Sequence, residues 1–441
     1  MNLQLTKYFS ILAIFVFLNT ESFAQIFINS GTDIVVNNGA LLVSNGGFQV
    51  IEGNLKNDGF IQVTRLGNLT NNGNFIINPL GFVNGNGIYK VEQDWINDGF
   101  YNYGLSSVEL YGNLKQFITS NNATQTVFHN LTLTGNGVAE NRKKELLLVN
   151  SSTDSSGILN LNNRELSTEI QSFHVRNPSV NAVLNSLNFQ NEGFVSSIEP
   201  GYFVRNTELV GDYFFPLGSS KLSNRYRPIL LKTEVAEKNT YKGRLNNYIS
   251  DLDNYNVSQT NGDLTNLNIN FYHSFQKSIN SSNKSKIGIA YLPIDGDYSE
   301  IGNWNQSNEW SLLENNALSF LSNYKYVMSS TFDFNNYNHP YILANKNYSE
   351  DVFVPNSFTP DDGDYNNAFK PIFSPDGNFN SIELTIYNRW GELIHKSVGL
   401  DCGWDGKYLE FICQDDTYIW TLVYVKKNKS KKLVGHVNLL R

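Results

Sequence analysis

Leu55-Lys56-Asn57-Asp58-Gly59-Phe60, Leu69-Thr70-Asn71-Asn72-Gly73-Asn74-Phe75, Phe82-Val83-Asn84-Gly85-Asn86-Gly87-Ile88 and Trp95-Ile96-Asn97-Asp98-Gly99-Phe100 are four versions of one phrase, their lead apolar residues 14, 13 and 13 positions apart. So short a spacing holds a strand and a tight turn. Asn, Asp and Gly tolerate positive φ in the turn, and apolar residues recur on alternate positions of the strand. Two arrangements satisfy that pattern. In a β-solenoid each stretch stacks on the one before, with Asn residues laddered at the corners; in a meander each Asn-Gly closes an antiparallel hairpin. The phase favours stacking, because Asn57, Asn71, Asn84 and Asn97 recur at one position relative to a large apolar residue. A solenoid-like repeat region is therefore expected over residues 25–150.

Upstream, Lys7 precedes the apolar run Tyr8 to Leu18 and then Ser22-Phe23-Ala24. A basic start, an apolar stretch of about eleven residues and a small-x-small site describe a secretory leader over residues 1–24, cleaved after Ala24. The run is shorter than the roughly 20 residues that span a bilayer, and no later segment approaches that length. Downstream of Asn150 the short period gives way to longer alternating strands such as Tyr202-Phe203-Val204, Arg227-Pro228-Ile229-Leu230-Leu231 and Ile287-Gly288-Ile289-Ala290-Tyr291. These predict a β-sandwich over 151–345. Polar residues from Asn345 to Asp351 then lead into a last module over 350–441. The whole chain reads as all-β, and its 441 residues suit about three domains. With 33 basic against 41 acidic residues it lacks the basic surplus of a nucleic-acid binder.

The last module carries Val354-Pro355-Asn356-Ser357-Phe358-Thr359-Pro360, then Asn388-Arg389-Trp390-Gly391, then Gly403-Trp404-Asp405-Gly406, Thr417-Tyr418-Ile419-Trp420 and a terminal Val437-Asn438-Leu439-Leu440-Arg441. In these motifs and their order it resembles the gliding-motility-associated C-terminal domain of exported Bacteroidetes proteins, the type B sorting domain of the type IX secretion system. The resemblance covers about a fifth of the chain. It implies an immunoglobulin-like sandwich that serves as an address, read by an outer-membrane translocon after the leader has brought the chain to the periplasm. Beside the resemblance, Ile382, Leu384 and Ile386 alternate with polar neighbours, so one face of that strand is apolar and Asn388 to Gly391 turns it into a hairpin. Trp390, Trp404 and Trp420 are expected in or near the core. Arg389 is either a solvated charge or a clamp on a carboxylate such as Asp405.

Other candidate chemistry is thin. Asp361, Asp362 and Asp364 crowd oxygen ligands around Gly363 and suit a hard cation such as calcium. The glycine is displaced from the pattern of similar domains, however, which favours a solvated turn and no cofactor. Asp295-Gly296-Asp297 reads as a surface hairpin. His129, His174, His273, His339, His395 and His436 show no metal-ligand spacing. Cys402 and Cys413 are expected to form a disulfide in an oxidising compartment.

The resulting expectation is a non-enzymatic, adhesin-like or scaffold protein displayed at the cell surface or secreted. Its partners are the type IX translocon and surface polysaccharide or other cells. The alternative is an exported carbohydrate-binding module or polysaccharide-active enzyme, suggested by aromatic abundance and by Trp304 and Trp310 in what read as exposed loops.

Overall fold

The computed structural model describes residues 26–64, 73–185, 192–278, 284–313, 317–321, 324–334, 340–347, 352–360, 366–374, 379–426 and 429–441. The expected leader, Leu69 to Asn72, His339 and the run Asp361, Asp362 and Asp364 lie outside these residues. Among the described residues, regular structure consists of β-strands and three short 3₁₀ turns. The chain divides into two compact units, one ending at Lys346 and one beginning at Asn347.

The first unit opens as a parallel β-solenoid with three faces. One face stacks Phe27–Ser30, Phe48–Asn57, Phe75–Asn84, Trp95–Asn97, Gln116–Thr119, Lys143–Leu147, Glu165–Ser167 and Phe194–Ser196 in that order. A second stacks Leu41–Asn45, Phe60–Thr64, Ile88–Val91, Ser107–Leu110, Asn130–Leu133, Leu159–Asn160 and Val183–Leu184. Shorter strands, among them Ile34–Val36, Phe100–Asn102, Thr126–Phe128, Ser151–Thr153 and Ser172–Val175, make the third. Parallel pairing places like on like. Phe27, Phe48, Phe75 and Trp95 are register partners, 21, 27 and 20 residues apart. A coil is thus about two of the 13-residue phrases, and successive phrases fall on different faces: Phe82 stands over Asn54 on the third face, whereas Trp95 stands beside Phe75 on the first.

The corners are where Asn and Gly act. Gly59 N–H donates to the Asn57 side chain at 3.1 Å, and the Asn57 amide donates to Ile88 O of the next coil at 3.2 Å. Asp58 Oδ1 accepts from Asn86 N, and Asn86 Oδ1 accepts in turn from Leu105 N, so each corner side chain caps the coil after it. Gly85 sits at φ +120°, and a Cβ there would lie 2.1 Å from Asn57 O. Only glycine fits that approach.

The parallel ladder runs past Asn150, where the short phrase is no longer legible, because the inward row Leu131, Leu159 and Val183 keeps its apolar register while the turns change composition. The third face then passes into an antiparallel sheet without a break. Tyr202–Thr207 pairs in parallel with Ser172–Val175 on one side and antiparallel with Asn239–Asn246 on the other. Tyr272–Lys277, Tyr341–Lys346, Glu300–Trp304 and Trp310–Leu312 extend that sheet. A second sheet, built on Gly211–Phe215, Ile229–Thr233, Lys284–Tyr291 and Tyr324–Met328, packs on it through Phe203, Phe215, Phe275, Tyr241 and Phe334. One buried cluster extends from Val36 to Leu343, so solenoid and sandwich share an interior.

One charged group inside this interior finds its partners within neighbouring coils. Lys144 is fully buried at an inward position, donating to Gly112 O at 2.8 Å and to Gln116 Oε1. Burial, aided by the Arg164 charge, pulls its pKa down to about 7.

Two outcomes follow. Phe75→Ala removes the middle of the stack and is expected to cost about 3–5 kcal/mol in a urea melt. The outward Phe82→Ala is expected to cost no more than about 1 kcal/mol. For Lys144 the unfolded chain binds the extra proton between pH 7 and about 10 while the folded chain does not, so stability gains with rising pH across that window. In Lys144→Met that part of the rise in thermal midpoint is expected to vanish.

Candidate functional site

The second unit has its own core, in which Phe358, Phe369, Ile382, Leu384, Ile386, Trp404, Tyr418, Leu422, Val437 and Leu439 are buried. Its main sheet runs Ser357–Phe358, Lys429–Leu439, Asp416–Lys426, Phe379–Tyr387 and Leu393–Val398. The alternation over Ile382, Leu384 and Ile386 faces that core as the sequence implies. Ser357–Phe358 adds in parallel to the last strand, with Asn356 O accepting from Asn438 N at 2.9 Å and Phe358 O from Leu440 N at 3.0 Å.

The motifs converge on this framework. Trp404 exchanges main-chain hydrogen bonds with Phe369 at 2.9 Å each way, donates its indole N–H to Lys407 O at 2.8 Å, and packs against Phe358 and Tyr418. Gly406, at φ +79°, lets Pro360 and Leu439 come close enough that a Cβ would meet each at 2.9 Å. Pro355 and Thr359 flank the strand that carries Phe358, and Thr359 N–H donates to Asn366 O at 2.9 Å. Gly403 N–H donates to Ser397 Oγ at 3.2 Å, and Asp405 Oδ1 accepts from Lys407 N at 3.1 Å. Trp420 is buried opposite Gly435, whose missing side chain makes room for the indole.

The turn Asn388 to Gly391 departs from expectation. Trp390 is 85% exposed, not in the core. The turn itself is firmly built: Asn388 Oδ1 accepts from Trp390 N and Glu392 N at 3.0 Å, Asn388 N donates to Glu392 O, and Gly391 takes φ +81°. Arg389 pairs through Nε and Nη2 with Asp416 Oδ2, not with Asp405. The hydrogen bond between them, with the opposite charge behind it, holds Asp416 below and Arg389 above their ordinary pKa values. Tyr408 donates to Glu392 Oε1 at 3.2 Å and so ties the neighbouring hairpin, Lys407–Tyr408 with Phe411–Ile412, to this turn.

Other expectations are also corrected. Cys402 and Cys413 are free thiols, not a disulfide. They engage different neighbours: Cys402 lies beside Asp401 and Lys370, whereas Cys413 meets the Tyr418 hydroxyl and Arg441. Trp304 and Trp310 are interior, ring to ring at 5.3 Å beside Tyr255, and not loop tryptophans. Asp295 is not a surface-hairpin carboxylate. It is buried in a two-point pair with Arg227, and its Oδ2 also accepts from Leu292 N at 2.8 Å. The histidines that lie within the described residues stay dispersed. His129 meets Asp154 at 2.9 Å, His174 meets Asn206 at 2.8 Å, and His273, held neutral by burial with its pKa near 4, donates to Arg227 O. Among the described residues no group of three or more His, Cys, Asp or Glu is placed to hold a metal ion.

Two surface features had no sequence signal. A groove of about 480 Å³ crosses three successive corners, lined by Asn38, Leu41, Asp58, Phe60, Asn86 and Ile88. A cleft of about 440 Å³ lies under the loop at Ser220, lined by Arg142, Arg164 and Glu165 among others. There Arg142 donates to Asn163 O and Glu192 O, and Arg164 to Gly137 O, so both guanidinium groups brace the main chain. Glu165 accepts from Ser196 Oγ at 2.6 Å, and burial raises its pKa. Each cluster gathers residues from several coils, which no local pattern announces.

Residues 352–439 match the CHU_C type IX secretion signal domain. No curated protein matches the chain's sequence. Among solved structures, dimeric latent PorU from Porphyromonas gingivalis aligns over 54% of this chain and 29% of its own, at 9% identity and a TM-score of 0.16. That likeness is too slight to bear on fold or function.

For the thiols, two free sulfhydryls per chain are expected in denaturant without reductant. Burial pushes the Cys402 pKa up to about 11, so iodoacetamide at pH 8 should label Cys413 of the native chain well before Cys402.

Proposed function

We propose that this chain, whose C-terminal unit carries a type IX secretion signal domain, delivers its first unit to the cell surface as a non-catalytic, adhesin-like or scaffold body. Export by that route to the surface or beyond follows from the signal domain itself. The leader over residues 1–24, the periplasmic passage and a source among gliding Bacteroidetes belong to the proposal.

The observation that carries the adhesive reading is the solenoid's outer surface. Inward rows are packed, yet outward rows are apolar too. Leu41 and Ile88 are exposed beside Phe60, and Phe82 and Phe100 stack outside the core at 4.6 Å. Rows repeated at the strand spacing present the same group several times, which suits weak contacts summed along a polymer or a neighbouring cell. The corner groove supports the second reading, a carbohydrate-binding module. Its apolar floor of Leu41, Phe60 and Ile88 and its rim of Asn38, Asp58 and Asn86 match a sugar's apolar face and hydroxyl edge. The tryptophans first invoked for that reading are interior and lend it nothing.

Two measurements test these statements. Deleting residues 347–441 should leave the first unit folded, since its core closes without them, while surface and extracellular protein falls at least tenfold; undiminished export of the truncated chain would end the sorting reading. On a glycan array, the full chain should neither release nor retain sugars. Retention lost in Phe60→Ala would establish the module reading instead, and sugar release would establish an enzyme.

A further inference from the structure

The geometry points to Trp390 and the hairpin beside it as the surface by which the sorting domain is gripped, the occupant being an outer-membrane component of the type IX machinery with an apolar groove and a basic rim. This rests on the sorting reading above and goes beyond it in naming the contact.

Three observations meet here. First, the largest side chain of the turn is left in solvent although the turn is tied by four hydrogen bonds and by the Arg389–Asp416 pair. A rigidly presented indole loses little conformational freedom when it is buried by a partner, which is what makes tryptophan a frequent anchor of interfaces. Second, it does not stand alone. The hairpin joined to this turn through Tyr408 and Glu392 exposes Leu409 and Phe411, at 74% and 78%, together with Ile412. Leu409 and Glu410 both adopt positive φ, at 50° and 70°. Glycine or asparagine would take those positions without strain. The hairpin therefore holds a costly backbone to project apolar side chains. Third, the rim is acidic. Glu392 and Glu410 lie on the turn and the hairpin themselves, and Asp416 and Asp405 beside them pair with Arg389 and Lys407. An apolar centre inside an acidic rim fits a complementary apolar groove edged with basic groups. A second copy of this chain would set acidic rim against acidic rim.

The test uses the full chain in a host with a working type IX system. Trp390→Ala should keep the thermal midpoint, since the residue is mostly in solvent, yet lower surface and extracellular protein at least tenfold with accumulation in the periplasm. Trp390→Phe should restore part of the export. A photo-crosslinking phenylalanine derivative at position 390 should join the chain to an outer-membrane component of the machinery. Export of Trp390→Ala at the wild-type level, with the 347–441 deletion still retained, would overturn the contact and leave the sorting reading intact. Crosslinks to the chain's own first unit or to a second copy would also overturn it. If the deletion too were exported, both would fall together.

Discussion

Everything in the first unit depends on side chains of successive coils lying directly above one another. Phe27, Phe48, Phe75 and Trp95 stack with ring centroids 4.8, 5.3 and 4.8 Å apart and planes within 16°, which is the spacing of hydrogen-bonded parallel strands. The ladder and the ring stack therefore enforce one register. A one-residue slip would turn the whole row outward and leave Asn57 and Asn97, buried polar groups at the ends of inward rows, without their hydrogen bonds. The same closeness dictates the corners. Backbones there approach until a single Cβ would collide with the carbonyl of the coil below, so glycine recurs for reasons of packing as much as of φ.

A solenoid end has to be closed, and the route taken here is a change of strand direction within one sheet. Where Tyr202–Thr207 stops continuing the parallel ladder and accepts an antiparallel neighbour, the surrounding loops are left with unpaired carbonyls. Arg205 meets them. Fully buried, it donates to Phe214 O, Ser179 O and Val180 O at 2.6–2.8 Å and lies over the Tyr213 ring. Burial, opposed by the Tyr213 phenol, depresses its pKa to about 10, which still leaves it charged. Arg227 repeats the solution deeper in the sandwich with Asp295 as its partner. Removing either cation would strand several buried acceptors, a cost that an apolar replacement does not repair unless those carbonyls also move.

What could be read from the sequence follows the range over which each signal acts. Alternation and Asn-Gly corners are local, so the all-β class and the stacked coils are legible in the sequence, and so are the buried face of Ile382, Leu384 and Ile386 and the interior places of Trp404 and Trp420. The 13-residue phrase, by contrast, records strand plus turn, not a full coil; three unequal faces make a coil of 18 to 30 residues, and nothing in a linear spacing says how many turns close a circuit. The places of Trp304, Trp310 and Trp390 are not legible in the sequence, for one reason. An indole beside polar residues reads the same whether the neighbouring sheet covers it or not, and that cover comes from Tyr255 for two of them and from no part of the described second unit for the third. Asp295 was likewise unreadable, because its partner Arg227 is 68 residues away.

The contrast among the second unit's tryptophans carries one more step. Trp404 gains a hydrogen bond from its indole and ring contacts on two sides, and Trp420 fills space that a glycine leaves across the strand; both reduce the cost of making a core from about ninety residues. Trp390 does neither, although a serine or lysine at the same place would keep the turn and improve solubility. Held in solvent on a rigid turn beside other exposed apolar groups, the indole is available to be buried by a partner at little conformational cost. For a domain whose task is to be recognised, the rigid turn, the strained hairpin and the acidic rim are then parts of a single surface shaped for contact instead of for stability.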